Sequence, residues 1–344
     1  MFTKHKAVIF GVSGHKLLPE EKTFFSESKP LGFFLSPKNI SNKDQVASLI
    51  SSLRNTINNK YAPILIDQEG GYDCSFKAPI WYTPPSASVF GKIANENLYD
   101  AKEAVRLSTI LIAMDLIDLG LSSGAIPVLD VLCDDTNAVI GSRVYSSDKF
   151  IVTALGQVVC ETFLEFGITP MIKHIPGHGK AKTNSHFKLP VVDADYEELL
   201  DIDFYPFRKL NDIQLAMTAH VLYKNIDPNS PATLSRKVIS EIRNTIGFKN
   251  LLITDCILMK ALSGSIVSRV KRALEAGCDI ILHSRGTVEE MKAVEIPIPL
   301  ITFDQERILR KLFIHDKKNY KLDPKKIKAK LNELLKKYQI KTIS

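Results

Sequence analysis

The chain has 344 residues, 45% of them apolar and 24% charged, with a formal net charge of +7. That balance excludes an intrinsically disordered chain, and no apolar run approaches the roughly 18 residues that a membrane-crossing helix needs. Five scattered cysteines (Cys74, Cys133, Cys160, Cys256 and Cys278), an odd number with no CxxC pair, exclude a disulfide framework and a thiolate zinc site and read as reduced thiols.

The positive charge is not spread evenly. From Glu306 to Ser344 there are thirteen Lys/Arg against four Asp/Glu, a surplus of nine, so the first 305 residues carry a net −2. The basic character belongs to a tail, and the body has no charge signature of nucleic-acid binding. The N-terminal apolar run is too short for a secretory signal. The expectation is a cytoplasmic protein without a membrane span.

In chain order, the first apolar, β-branched run is AVIFGV (7–12), followed by LGFFLS (31–36). SNKDQVASLISSLRNTI comes next, where Ser41 and Asp44 form a capping-box pattern and Val46, Leu49, Ile50, Leu53 and Ile57 make an apolar stripe at helical spacing. PILID (63–67) is the third run and leads into a long polar segment, 68–97. AIPVLDV (125–131) and PMIKHI (170–175) are the fourth and fifth, and a second long loop, 176–194, follows the fifth. Asp195 and Glu198 repeat the capping device before the next helix. LAMTAH (215–220), LLITD (251–255) and DIILH (279–283) complete eight candidate strands. The tail reads as an amphipathic helix after an Asp-Pro start, with Ile327, Leu331, Leu334 and Leu335 on one face and the barrel as its docking surface.

Strands alternating with helices imply a parallel sheet, and eight such units in about 290 residues predict a single (β/α)₈ TIM-type barrel over 1–305, with a basic helical extension over 306–344. No GxGxxG follows the first strand, and GVSGHK lacks the Walker spacing, so an open nucleotide-binding sheet is the weaker reading.

The strand ends carry Asp67 with Gln68 and Glu69, Asp130, Lys173 with His174, His220, Asp255 and His283. A buried charge needs a partner, so any one of these could be a structural ion pair; six polar ends out of eight point instead to a polar ligand pocket. Loops longer than about 12–15 residues in a compact domain tend to be functional. The loop in KHIPGHGKAKTNSHFKLP (173–190) admits three readings. As a metal site it offers His174, His178 and His186 without HExxH register; as a phosphate cradle it lacks a GKS/T ending; as a mobile loop it presents a titratable imidazole for acid–base work. His178 reads as bonded to backbone carbonyls around a rigid turn.

The ordered set LIDQEGG (65–71), PVLDV (127–131), IGSRVY (140–145), KHIPGHG…SH…LP (173–190), MTAHV (217–221), ITDCILM (253–259) and EAGCDIIL (275–282) resembles glycoside hydrolase family 3. Within it, the chain is most similar to the single-domain bacterial β-N-acetylglucosaminidases of the NagZ type. The resemblance implies a monomeric, cofactor-free retaining glycosidase that removes terminal β-linked N-acetylglucosamine from muropeptides in peptidoglycan recycling. It implies Asp255 as nucleophile, His186 as acid/base with Asn184 beside it, and Asp67, Arg143, Lys173, His174 and His220 as substrate contacts. Four residues in three segments depart from the family. Asn184 stands where an aspartate usually orients the histidine, GGYDCSF replaces an arginine-bearing segment with Tyr72 and Ser75, and Cys256 replaces a second acid. A β-N-acetylglucosaminide phosphorylase and a weakened muropeptide-binding protein are the alternatives.

Overall fold

The computed structural model describes residues 2–133, 141–314 and 321–340; Ile140 of the IGSRVY motif and the tail stretches 315–320 and 341–344 lie outside the described residues. Seven parallel strands form the core sheet: β1 (Lys6–Gly11), β2 (Pro30–Leu35), β3 (Ile64–Ile66), β6 (Ile172–Ile175), β8 (Leu215–Thr218), β10 (Leu251–Cys256) and β11 (Ile280–His283). They run β3-β2-β1-β11-β10-β8-β6. Two small two-stranded sheets lie outside this core: the antiparallel β4 (Gln68–Gly70) with β5 (Asp73–Cys74), and the parallel β7 (Val191–Val192) with β9 (Leu222–Tyr223). The core strands are buried on both faces, which explains their continuous apolar sequences.

The expected fourth strand, 125–131, is not formed, and a fully closed barrel is not what the strand ladder shows. Residues 122–131 run between β3 and β6 through isolated bridges, Leu65 to Ser123 and Val128 to Lys173. Ile66 donates its N–H to the Ser123 carbonyl at 3.1 Å, and Leu129 donates to Lys173 at 2.7 Å. Pro127 has no N–H, and Ala125 lies in the left-handed region at φ 50°, so a regular ladder cannot propagate along the segment.

The helices are α1 (Pro19–Ser28), α2 (Lys43–Thr56), α3 (Ala87–Glu96), α4 (Leu98–Leu119), α5 (Lys149–Glu165), α6 (Tyr196–Glu198), α7 (Phe204–Lys209), α8 (Arg236–Asn244), α9 (Ile266–Ala276), α10 (Val288–Glu295), α11 (Phe303–Phe313) and α12 (Pro324–Lys337). In α2, Val46, Leu49, Ile50 and Leu53 are buried as the stripe requires, but the cap is Asn42, whose side chain accepts the Gln45 N–H. Ser41 instead donates its N–H to the Gln45 side chain. Asp195 precedes α6 without making a side-chain cap, and the chain passes through a π-helical turn, Leu199–Asp203, into α7. The expected division at 305/306 falls inside α11. The amphipathic tail helix α12 starts at an Asp323 cap, buries Leu331 and Leu335 and packs along α4. Lys337 reaches Asp100 and Lys330 reaches Glu103, each at 2.5 Å.

Candidate active site

The strand ends open into one cavity of about 380 Å³, a size suited to a small polar ligand. Asp67, Arg143, Lys173, His174, Asn184, His186 and Asp255 all line it, as do Lys38, Ser284 and Arg285. Phe34, Met217 and Leu282 supply apolar surface.

Behind one wall lies an ion network. Arg143 holds Glu69 with both fork nitrogens, Nε to Oε2 at 2.7 Å and Nη2 to Oε1 at 2.8 Å. Lys173 Nζ reaches Glu69 Oε1 at 2.5 Å and Asp67 Oδ1 at 3.1 Å. The Lys173 side chain is 2% exposed and that of Glu69 5%, so this carboxylate must be compensated; burial would raise its pKa, but Arg143 and Lys173 hold it far below the usual range. Local sequence creates the arrangement. At Gly70 φ is +127°, and an added Cβ would lie 2.1 Å from the Pro85 carbonyl oxygen, so the β4–β5 hairpin needs glycine there to turn Glu69 inward. The Gln68 side chain clamps the hairpin by accepting the Ser75 and Phe76 N–H groups.

Strand β6 presents two consecutive residues to the cavity. Its pairing with β8 slips between Lys173 and Ile175, and this irregularity breaks the usual alternation of side chains. His174 Nδ1 lies 2.8 Å from Asp130 Oδ2, while Asp130 Oδ1 accepts the His174 and His178 N–H groups at 3.2 and 2.7 Å. Burial raises the Asp130 pKa, and His174, His178 and these amides bring it below its ordinary value. His178 therefore bonds to a carboxylate through its backbone rather than to carbonyls, and its Nδ1 is buried with no partner among the described residues. Burial lowers its pKa to about 4. The glycines flanking it are required: Gly177 has φ +137°, and a Cβ on Gly179 would meet the Val131 carbonyl at 1.7 Å.

Asp255 closes β10. Its Oδ1 accepts the Cys256 N–H at 2.6 Å. Burial works to raise its pKa, but His220, His174, the Cys256 amide and Lys173 outweigh it and keep the carboxylate ionised below its ordinary value. His220 lies outside the cavity wall. It is fully buried, with Nδ1 2.8 Å from Thr233 Oγ1 and Nε2 3.1 Å from the Cys256 carbonyl. His283, another polar strand end, also lies in the core, edge-on to Phe10.

His186 sits exposed at the cavity mouth. Asn184 does not serve its ring; Asn184 Oδ1 accepts the His186 backbone N–H at 2.9 Å, a local turn. The ring's partner is Arg285, whose Nη2 lies 2.6 Å from His186 Nδ1. Burial lowers the imidazole pKa, Arg285 and Arg143 lower it further, and Asp255 and Asp67 act in the opposite direction. Sequence reading passed over Arg285, which lies two residues beyond the last strand with no motif to mark it. Glu69 is among the polar strand-end residues that the sequence offers, an acid two positions after Asp67 at a double-glycine turn, but its role as the shared partner of Arg143 and Lys173 is visible only in the fold.

These residues form a pocket that can hold a polyhydroxylated ligand between charge-assisted donors and acceptors, with the Asp255 carboxylate and the His186 imidazole among the groups that open onto it. The sequence profile of the glycosyl hydrolase family 3 N-terminal domain matches residues 16–311. The β-hexosaminidase of Thiobacillus denitrificans is 33% identical over 282 residues, which are 80% of this chain and 77% of the relative; that of Haemophilus influenzae is 33% identical over 285 residues, 80% and 78%. Among solved structures, NagZ from Neisseria gonorrhoeae in complex with N-trifluoroacetyl-D-glucosamine superposes with a TM-score of 0.83 over 96% of each chain, at 24% identity, a likeness of fold. The β-N-acetylglucosaminidase of Thermotoga maritima is 30% identical, with a TM-score of 0.71 over 93% of this chain and 68% of its own. No described helix is long and apolar enough to cross a membrane. The chain belongs to glycosyl hydrolase family 3 and is a glycosidase.

Proposed function

We propose that this glycosidase is a retaining β-N-acetylglucosaminidase of cell-wall recycling, acting in the cytoplasm on muropeptides, and that residues 122–131 complete its sheet as the eighth stave of a barrel. The observation that carries the reaction is that Asp255 and His186 open onto the same cavity as Asp67, Arg143, Lys173 and His174. The sugar specificity rests on the names of the relatives and neighbours.

In the first half-reaction, Asp255 forms a bond to the anomeric carbon while the bond to the leaving oxygen breaks and protonated His186 gives that oxygen a proton. In the second, neutral His186 takes a proton from water, the water oxygen bonds to the anomeric carbon, and the ester to Asp255 breaks. An ionised nucleophile is required throughout, and the lowered pKa of Asp255 supplies it at neutral pH. Asp67, Arg143, Lys173 and His174 would hold the sugar hydroxyls, fixing the ring for in-line attack. His220, which bonds the Cys256 carbonyl next to Asp255, would act on the charge of the nucleophile rather than on the sugar.

A chromogenic β-N-acetylglucosaminide assay on wild type and Asp255→Ala tests this directly. Turnover that vanishes in the variant, with the sugar product of retained β-configuration by NMR, is the expected result; an Asp255→Ala enzyme as active as wild type sinks the proposal.

Phosphorolysis is the second reading. It is favoured by two cations on the cavity wall, Lys38 and Arg285, the second in contact with His186, an imidazole that would repel phosphate less than a carboxylate acid would. Product analysis in phosphate buffer distinguishes the two, since only phosphorolysis yields a sugar 1-phosphate.

A further inference from the structure

The contact between Arg285 and His186 sets a chemical problem. A guanidinium only donates hydrogen bonds, so Nδ1 must accept at 2.6 Å and carry no proton. The remaining proton of the neutral ring then sits on Nε2. In that form the ring cannot protonate a leaving oxygen through Nε2 without becoming an imidazolate, and Nε2 has no lone pair free to accept a proton from water. The imidazolium that the first half-reaction needs would place an N–H on Nδ1 against the guanidinium. The arrangement is an idle one.

Arg285 also lines a second, open cleft outside the sugar cavity, together with Phe187, Leu258, Lys260 and Glu290. Glu290 is engaged locally, its Oε2 accepting the Thr287 N–H at 2.8 Å. Arg285 forms no ion pair with any described residue, so among the charges near His186 it is a cation awaiting an anion. The groups facing the imidazole are Asp255 from β10, Asp67 after β3, Arg143, and Arg285 after β11.

Resting on the function proposed above, we propose that Arg285 is a positioning and specificity residue: it parks His186 in the idle form and releases it when a carboxylate on the leaving group draws the guanidinium away. No covalent step is added. The carboxylate takes the guanidinium's hydrogen bond, Nδ1 gains a proton from solvent, and the resulting imidazolium performs the acid step.

The test compares two disaccharides: N-acetylglucosamine β-1,4-linked to N-acetylglucosamine, and the same compound with a lactyl ether carboxylate on O3 of the leaving sugar. Wild type is expected to favour the carboxylate-bearing substrate about five-fold in kcat/KM, a preference that fades at high ionic strength because the site is exposed. Arg285→Gln is expected to lose that preference and to move the alkaline limb of the kcat/KM profile on the uncharged disaccharide upward, since His186 must be protonated for the first step; Arg285→Lys restores part of the preference. Histidine NMR titration of wild type and Arg285→Gln follows His186 whether or not the enzyme turns over. A His186 pKa unmoved by Arg285→Gln, or a preference that survives the substitution, overturns the proposal. So would inorganic phosphate substituting for the carboxylate and appearing as sugar 1-phosphate, because the anion would then be a co-substrate. Failure of Asp255→Ala to abolish activity would instead remove the reaction reading, and the titration distinguishes the two failures.

Discussion

The two halves of the site are built on opposite physical terms. Glu69, on the hairpin after β3, is held between Arg143 and Lys173 in a largely buried ion network that Asp67 joins as the second carboxylate, and Asp130 fixes His174 beside it. His186 instead stands exposed on a Pro- and Gly-broken loop, held by a two-residue Asn184 turn, by Arg285, and by the neighbouring Ser185, whose carbonyl accepts the Ala261 N–H at 3.1 Å. Buried charges cannot rearrange cheaply, so the first region can set the geometry of a bound sugar. An exposed imidazole can exchange partners at small cost, which suits a group that must give up a proton and later take one. The comparison teaches that substitutions in the first region should damage folding as well as function, whereas those in the second should damage chemistry alone.

The largest expected effect falls on the boundary between the two. Asp255→Ala should lower kcat by at least about 10⁴-fold with little change in the urea midpoint, because a nucleophile's loss is a transition-state loss. Removing the network's carboxylate sharpens the contrast from the other side. Glu69→Ala strips Arg143 of its carboxylate partner and leaves buried Lys173 with Asp67 alone, and should cost about 3–5 kcal/mol of stability, read by urea denaturation. If Glu69→Ala unfolds no more readily than wild type, the rigid half is not rigid for the reason given.

In the exposed half, His186→Ala should leave the urea midpoint unchanged and reduce turnover about 10²- to 10³-fold on a disaccharide, whose leaving group needs protonation. It should matter less on a nitrophenyl glycoside, whose leaving group does not. Equal losses on both substrates would break the assignment of the proton to this loop.

The pH dependence of stability separates the halves again. His178 and His283 are buried with pKa values near 4, well below the unfolded value of about 6.5. Between those limits the unfolded chain binds more protons than the folded one. Their contribution is therefore fully present above pH 6.5 and is lost as pH falls toward 4, up to roughly 3 kcal/mol each. Buried Asp203 and Asp115, pushed up to about 7 and about 6, act with the opposite sign in this window, so the histidine contribution is read by difference: His283→Phe should lose less stability than wild type as pH falls from 6.5 toward 4. The smallest effect is expected at Asn184→Asp. The carboxylate can still cap the His186 amide, so the turn survives, and its charge raises the imidazole pKa, shifting the alkaline limb of the kcat/KM profile upward with a change of only a few-fold in rate.

Much of this was legible in the sequence because it depends on neighbours along the chain. Continuous apolar runs located seven parallel strands, the α2 stripe is the face that α2 buries, and the Asp-Pro start marked α12. The ordered family motifs located Asp67, Arg143, Lys173, His174, His186 and Asp255, and the fold brings all six to one cavity. What sequence could not supply depends on contacts across the chain. The fourth run is interrupted because its proline has no donor where a neighbouring strand requires one. His220 and His283 end strands as the cavity residues do, yet the direction of each side chain turned them into the interior. Asn184 sits two residues from His186 and caps its backbone, while Arg285, 99 residues away, holds its ring. Local pattern decides which segments are strands and which are helices, since hydrophobic periodicity and capping act over a few residues. Which charges compensate one another, and which nitrogen of an imidazole is free, is decided only when folding brings distant side chains within hydrogen-bond reach.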